Sequence, residues 1–325
     1  MNICFLEKTS FEYNSENLYS NKLRGAESIL INLSKALVNN GHNVTILNNC
    51  PRNEILDKIQ WININNYTGN QIFDLTFSNN DTRLFDKIKS RKKILISHSL
   101  QSIEKFIRKK QLIGYLKHKP KILLLSDYHK KKRSKLLTLF GSIRLNWAVD
   151  DIFIKTNINE KKQRNRAIFT SSPDRNLEIL LKIWNNLIHP RLSTCELMIP
   201  KTKIDLNKNN VISRERGSQK LLIDDLLSSK VFLIPGHKAE LFCLAAEEAK
   251  ELCIPIITLG IGCLAERVEH GLTGFIAKNE KEFADYTIKL FNDENLYKQM
   301  RENLIGIRGQ NDWKKTAKKL IELIA

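Results

Sequence analysis

Between Val231 and Leu259 two short apolar runs enclose a loop and a stretch with helical spacing. Val231-Phe-Leu-Ile and Ile256-Ile-Thr-Leu read as buried strands, being short and nearly free of polar side chains. Between them Phe242, Leu244, Ala245, Ala249 and Leu252 recur at helical intervals. Strand, loop, helix and strand in that order form a unit whose two strands run parallel. Glu240 falls at or near the start of the helix. Glu248 follows eight residues later, about 12 Å along the axis if all of it is helical. A carboxylate at the mouth of a helix suits the positive end of the dipole, and it accepts hydrogen bonds from hydroxyl-rich ligands.

The same alternation runs through the chain. Asn2–Leu6, Asn43–Leu47, Asp74–Phe77, Lys93–Ser97, Lys121–Leu125 and Ser142–Leu145 are predicted strands in the first half. Gly25–Leu37 has helical periodicity and is stopped by Asn39-Asn-Gly-His. Arg166–Thr170, Glu196–Ile199 and Asn210–Ile212 are predicted strands in the second half, and Gly217–Ser229 is a helix. The pattern predicts an α/β fold with doubly wound parallel sheets, and 325 residues are enough for two domains. Glu7 to Arg24 is a long polar loop of the kind that carries function. No G-x-G-x-x-G follows the first strand, so a dinucleotide fingerprint is absent. The opening apolar run is too short for a signal peptide, and no run has the length of a membrane span. Six cysteines form no C-x-x-C pair, and the expectation is reduced thiols in a cytoplasmic protein. No cluster has metal-ligand spacing.

The net charge is +18. Abundant Lys, Asn and Ile suggest a coding bias that accounts for much of it. The charge is nevertheless uneven: from Arg83 to Lys135 only Asp86, Glu104 and Asp127 oppose Arg91-Lys-Lys93, Arg108-Lys-Lys110, Lys130-Lys-Lys-Arg133 and other bases. Such a face attracts anionic lipid headgroups, nucleic acid or phosphorylated acceptors. There is no RNA-binding signature and no interleaved aromatic platform, so no nucleic acid is expected. Phe106, Ile107, Leu112, Ile113, Tyr115 and Leu116 lie between the basic clusters, so one helix could show a basic face beside an apolar one. That fits an anionic membrane surface as partner; the alternative is a solvated surface with the apolar residues in the core.

Several segments resemble one family. Glu240, Phe242, Leu244, Glu248, Ala249 and Pro255 match the E-x7-E segment of the retaining GT-B glycosyltransferases of family four, the glycosyl transferases group 1. Leu241 and Cys243 stand where that family usually has Gly. Leu259–Phe275 resembles its G-G-x-P-E-x-x-x-x-G-x-T-G segment through Gly262, Glu266, Gly271, Thr273 and Gly274, with Ala265 replacing Pro. Leu23–Ser28 resembles its Gly-rich turn, with Gly25 kept and Arg24 replacing Gly. Ser171–Trp184 resembles its phosphate-binding turn. Arg175 takes the Lys position there, and Thr170 or Ser171 stands near the missing Arg. Val149, Asp150 and Phe153 match its hinge.

The resemblance implies two Rossmann-like domains facing across a cleft. Residues 1–154 would take the acceptor, 155–310 the donor, and 311–325 would form a helix packing back on the first domain. It implies sugar transfer from a nucleotide-diphosphate sugar to a carbohydrate or lipid-linked acceptor, with retention and without metal or other cofactor. The catalytic residues would be Glu240, His98 and Arg175. His98 stands at the C-terminal end of a strand, where the family often has a His near the transferred sugar. Donor binding would fall to Glu248 on the ribose, and to Gly25, Lys238, Gly262, Leu264, Glu266 and Ser171. Cell-envelope glycan or glycolipid synthesis follows as the expected setting, at the inner face of the cytoplasmic membrane. Two alternatives stay open: a nucleotide-sugar epimerase of the same fold, and a non-catalytic protein on the same scaffold, with nucleic acid as one candidate ligand.

Overall fold

The structure is a computed structural model that describes residues 1–20, 23, 25–159, 164–202, 209–215 and 217–324. Arg24 of the Gly-rich turn lies outside them. The chain divides into two compact units, Met1–Trp147 with Trp313–Ala325, and Ala148–Asp312.

The first unit contains β1 (Asn2–Leu6), α1 (Gly25–Asn39), β2 (Asn43–Asn48), β3 (Glu54–Leu56), β4 (Ile59–Asn63), β5 (Ile72–Asn79) and β6 (Lys89–Ile96). It continues with α2 (Ile103–Arg108), α3 (Leu112–His118), β7 (Lys121–Leu124), α4 (Asp127–Lys132) and β8 (Ser142–Arg144). The sheet order is β3-β4-β2-β1-β5-β6-β7-β8, parallel except for the β3–β4 pair. β1 lies at the centre and is buried from Cys4 to Leu6, with Phe5 stacked on Phe77 at 4.8 Å between ring centroids. On α1, Ile29, Leu30, Leu33, Ala36 and Leu37 form the buried stripe that holds the helix on the sheet. Each fully buried Leu or Ile contributes about 1.5–3 kcal/mol.

The second unit contains α5 (Asp151–Lys155), β9 (Arg166–Ile168), α6 (Leu177–Ile183), β10 (Glu196–Pro200), β11 (Val211–Arg214), α7 (Gln219–Leu227) and β12 (Val231–Leu233). It ends with α8 (Leu244–Glu251), β13 (Ile256–Thr258), β14 (Gly274–Ile276), α9 (Glu280–Asn292) and α10 (Glu294–Ile307). The sheet is parallel in the order β11-β10-β9-β12-β13-β14. Counted within the unit this is 3-2-1-4-5-6, the doubly wound order whose ligands bind beyond the C-terminal strand ends where the order reverses. Here that switch point lies between β9 and β12. One arginine secures the helices behind the sheet. Arg308 donates through Nε to the Glu251 carbonyl at 2.7 Å and through Nη2 to the Phe153 carbonyl at 2.9 Å.

After the second unit the chain returns to the first. α11 (Trp313–Ile324) packs against α1 and buries Trp313, Ala317, Leu320 and Ile324. Trp313 also packs at a tilt against Trp147, with ring centroids 5.9 Å apart.

Candidate functional site

At the switch point of the second unit three loops meet. The loop after β9 carries Ser171 and Arg175, and Asn176 enters α6 with a left-handed backbone, φ 64°. Asn176 Nδ2 donates to the Gly236 carbonyl at 2.5 Å, which ties this loop to the one after β12. Arg175 reaches across the same gap. Its Nε lies 3.2 Å from Glu240 Oε1, and its Nη1 donates to His237 Nδ1 at 3.2 Å. His237 Nδ1 also accepts from the Ala239 amide at 3.1 Å, so the neutral ring carries its proton on Nε2. The Glu240 side chain is only 14% exposed. Burial raises its pKa, Arg175 opposes that, and Asp174 adds to it.

The third loop follows β13 and passes so close that its glycines are obligatory. Gly262 has φ +77°, and a Cβ there would lie 2.4 Å from the His237 carbonyl oxygen. Gly236 has φ +96°, and its Cβ would lie 2.5 Å from the Ile261 carbonyl oxygen. The Cys263 amide donates to the Glu240 carbonyl at 3.1 Å. Leu264 is buried beneath this loop, and Glu266 is exposed in the short 3-10 turn that follows.

Sequence periodicity placed Glu240 at or near the helix start, and the structure corrects this. α8 begins at Leu244, so Glu240 stands in the loop, and the two acidic residues do not share one continuous helix. The break is Cys243, whose φ of 60° is the left-handed conformation that glycine adopts without strain. A family Gly at this position therefore has a backbone reason, and Cys243 adopts the same backbone. Leu241 is buried at an ordinary φ, so its departure from Gly carries no such strain.

Glu248 is half-buried on α8. Burial chiefly pushes its carboxyl up to about 7; Asp150 adds to the rise and Arg214 offsets part of it. Its neighbour Glu247 is structural, bonded to Lys250 at 3.1 Å and to Arg267 at 3.2 Å. Lys238 is exposed in the loop after β12, and Ser171 lines a separate cavity. That cavity, about 330 Å³, opens beyond β9, β10 and β11, and Lys201, Arg214 and Glu215 line it as well. None of these three was singled out from sequence, because a charged residue closing a short strand carries no periodic signal.

Gly25 and His98 belong to the first unit. Gly25 is the first residue of α1. His98 follows β6; its amide donates to Asn80 Oδ1 at 3.0 Å, while its buried Nε2 has no partner. Burial pushes its imidazole down to about 4, so the ring is neutral at pH 7. His129, on α4, is a core residue, with Nε2 2.7 Å from Gln101 Oε1. Glu7, unremarked in sequence, is buried at the end of β1. It accepts from Asn79 Nδ2 at 2.7 Å and from the Tyr13 hydroxyl, and burial pushes it up to about 6. Among the described residues no group of three or more His, Cys, Asp or Glu could hold a metal ion.

Two parallel α/β units, with the loops of the second converging on an Arg–Glu pair and two close-packed glycines, define the class of fold: GT-B, the architecture of solved glycosyltransferases. Residues 202–305 match the family model described as glycosyl transferases group 1, which covers most of the second unit from the end of β10 to α10. HepE from Anabaena, solved with UDP, superposes at a TM-score of 0.70 with 15% identity, over 100% of this chain and 99% of that one. Sucrose-phosphate synthase from Thermosynechococcus elongatus superposes at 0.68 with 12% identity, over 99% and 98%. WaaG, a glycosyltransferase involved in lipopolysaccharide biosynthesis, superposes at 0.67 with 11% identity, over 99% of each chain. No curated protein matches the chain in sequence.

Proposed function

We propose that the chain transfers a sugar, with retention, from a nucleotide-diphosphate sugar to an acceptor of cell-envelope glycan or glycolipid synthesis. The observation that carries this reading is the Arg175–Glu240 pair beside Gly262 at the switch point of the second unit. Arg175, Lys238 and the backbone beside Gly262 stabilise the leaving diphosphate, where negative charge develops in the transition state. Glu240 accepts hydrogen bonds from the transferred sugar. Glu248 holds the ribose, and Ser171, Leu264 and Glu266 complete donor binding. The backbone beside Gly25 serves the diphosphate and His98 the sugar. That HepE binds UDP and that WaaG serves lipopolysaccharide biosynthesis support the donor class and the setting.

Glu248 provides the test. Its pKa of about 7 means the free protein is half protonated near neutrality, and a protonated carboxyl is a poorer acceptor for two ribose hydroxyls. Affinity for a nucleotide sugar, whose diphosphate does not titrate in this range, is expected to fall below pH 7. The slope approaches about tenfold per pH unit, because a proton must leave before the ligand binds. Calorimetry from pH 6 to 8 measures it, with Glu248→Gln expected to bind weakly and without that slope. A flat profile in the parent protein removes Glu248 from the ribose. Glycosyl transfer itself is tested in the same preparations by offering nucleotide sugars with and without acceptor. Turnover of the donor without acceptor to an isomeric sugar nucleotide marks an epimerase instead.

The acceptor side is proposed to meet an anionic membrane. The first unit holds 29 Lys and Arg against 12 Asp and Glu, whereas the second holds 24 against 23. A coding bias loads both units alike, so it does not produce this partition. Phe106 and Tyr115 are buried, but Ile107, Ile113 and Leu116 are 57%, 79% and 51% exposed beside Arg108, Lys109, Lys110 and Lys117. Exposed aliphatic side chains among cations suit an interface of acyl chains and anionic headgroups. No described helix is long and apolar enough to cross a membrane. Sedimentation with anionic vesicles at low salt is expected to carry the protein down, and neutral vesicles or high salt to release it. Replacing Arg108, Lys109 and Lys110 with Ser should lower the bound fraction severalfold. Equal recovery on both vesicle types removes the membrane from the proposal.

A further inference from the structure

We infer that Arg214 reads the carbonyl edge of the donor's base, making it a specificity-determining residue. The inference rests on the nucleotide-sugar reading above. Arg214 closes β11 and lines the cavity formed with Thr170, Ser171, Pro173, Pro200 and Lys201. Its side chain is only 9% exposed, and Nε donates to Asp225 Oδ2 at 2.8 Å, which fixes the plane of the guanidinium. Nη1 and Nη2 have no hydrogen-bond partner among the described residues. These donors belong to a residue that lines the open cavity, where they can donate to an acceptor from outside the fold. On the cavity wall the Thr170 hydroxyl is buried without a partner. The two prolines supply flat apolar surface, and Lys201 is drawn aside by Glu215 at 2.7 Å.

The position of Arg214 selects which part of a nucleotide it meets. The leaving diphosphate is assigned to Arg175 and the Gly262 loop. Arg214 acts instead on Glu248, the residue assigned to the ribose, by offsetting part of its rise. The group attached to the ribose opposite the diphosphate is the base. A guanidinium only donates, so it matches O6 and N7 of guanine, or a carbonyl oxygen of uracil or thymine. Adenine turns an amino donor toward the same position.

The test compares UDP, GDP and ADP, which share the diphosphate, by calorimetry on the parent protein, Arg214→Lys and Arg214→Met. UDP or GDP is expected to bind the parent at least about tenfold tighter than ADP, within the discrimination a good Arg–base contact provides. Arg214→Met should bring that ratio within about threefold by weakening the carbonyl-bearing nucleotide alone, and Arg214→Lys should give an intermediate ratio. Arg214→Lys keeps a cation facing Asp225, so it answers the question even if the Met variant unfolds. An unchanged ratio in the variants, equal loss for all three nucleotides, or tightest binding of ADP overturns the inference and leaves the donor reading standing. Failure of the folded parent to bind any nucleoside diphosphate or nucleotide sugar overturns both.

Discussion

Arg175→Ala is expected to lower sugar transfer by about 100-fold or more, the loss seen when one preorganised electrostatic stabiliser is removed. The diphosphate gains charge as the glycosidic bond breaks, so a cation beside it stabilises the transition state more than the ground state. Arg175 is the cation that the loop after β9 brings to the switch point, and Thr170 or Ser171 stands near where the family that this turn resembles has a second one. The substitution also strips Glu240 of the partner that opposes its burial, so its carboxyl titrates at a still higher pH. Arg175→Lys restores charge without the fork that spans Glu240 and His237, and should recover only part of the rate. Single-turnover kinetics with a nucleotide sugar measures the effect. An unchanged rate in the Ala variant makes the turn structural only.

Gly262→Ala is expected to be nearly as damaging by a different route. The new Cβ would fall 2.4 Å from the His237 carbonyl oxygen and 3.0 Å from the Glu240 carbonyl oxygen. Both neighbours are backbone, so one loop must move, and the left-handed φ adds strain of about 1–3 kcal/mol. A displacement of about 1 Å in a positioning loop can cost about 100-fold in rate. Gly271→Ala is the control: its φ is +82°, but nothing lies within 4 Å of the added carbon. Thermal melts and turnover together separate the two substitutions. Both should lose some stability, but only Gly262→Ala should lose activity out of proportion. Equal turnover in the two variants shows that the close approach at Gly262 has no functional role.

The parallel sheets were legible because buried parallel strands are nearly free of polar side chains, as at Val231–Ile234 and Ile256–Thr258. The glycine positions of the third loop were legible as well, since close backbone approach admits little else. The start of α8 was not. Apolar residues continue at helical spacing through Phe242 and Leu244, and nothing in a cysteine announces the left-handed backbone that delays the helix. The β3–β4 hairpin was missed for a related reason. Its two-residue turn places Asp57 and Lys58 at φ 51° and 61°, conformations usually announced by Asn-Gly or Asp-Gly. Arg214 and Glu7 went unseen because their roles depend on partners far away in the sequence: a cavity built by three strands, and the Asn79 amide.

The return of α11 to the first unit makes the second unit an insertion within the first. Residues 148–312 are contiguous, so this unit has all of its sequence once residue 312 has emerged during synthesis. The first unit does not, although its residues are made earlier. Until α11 has appeared, the face of α1 that receives it has no cover. The indole of Trp147 lacks Trp313, and the Lys92 ammonium lacks the Ile324 carbonyl, which accepts from it at 2.7 Å. The order of translation and the order of completion are therefore reversed. The half made first is completed last, when α11 joins it.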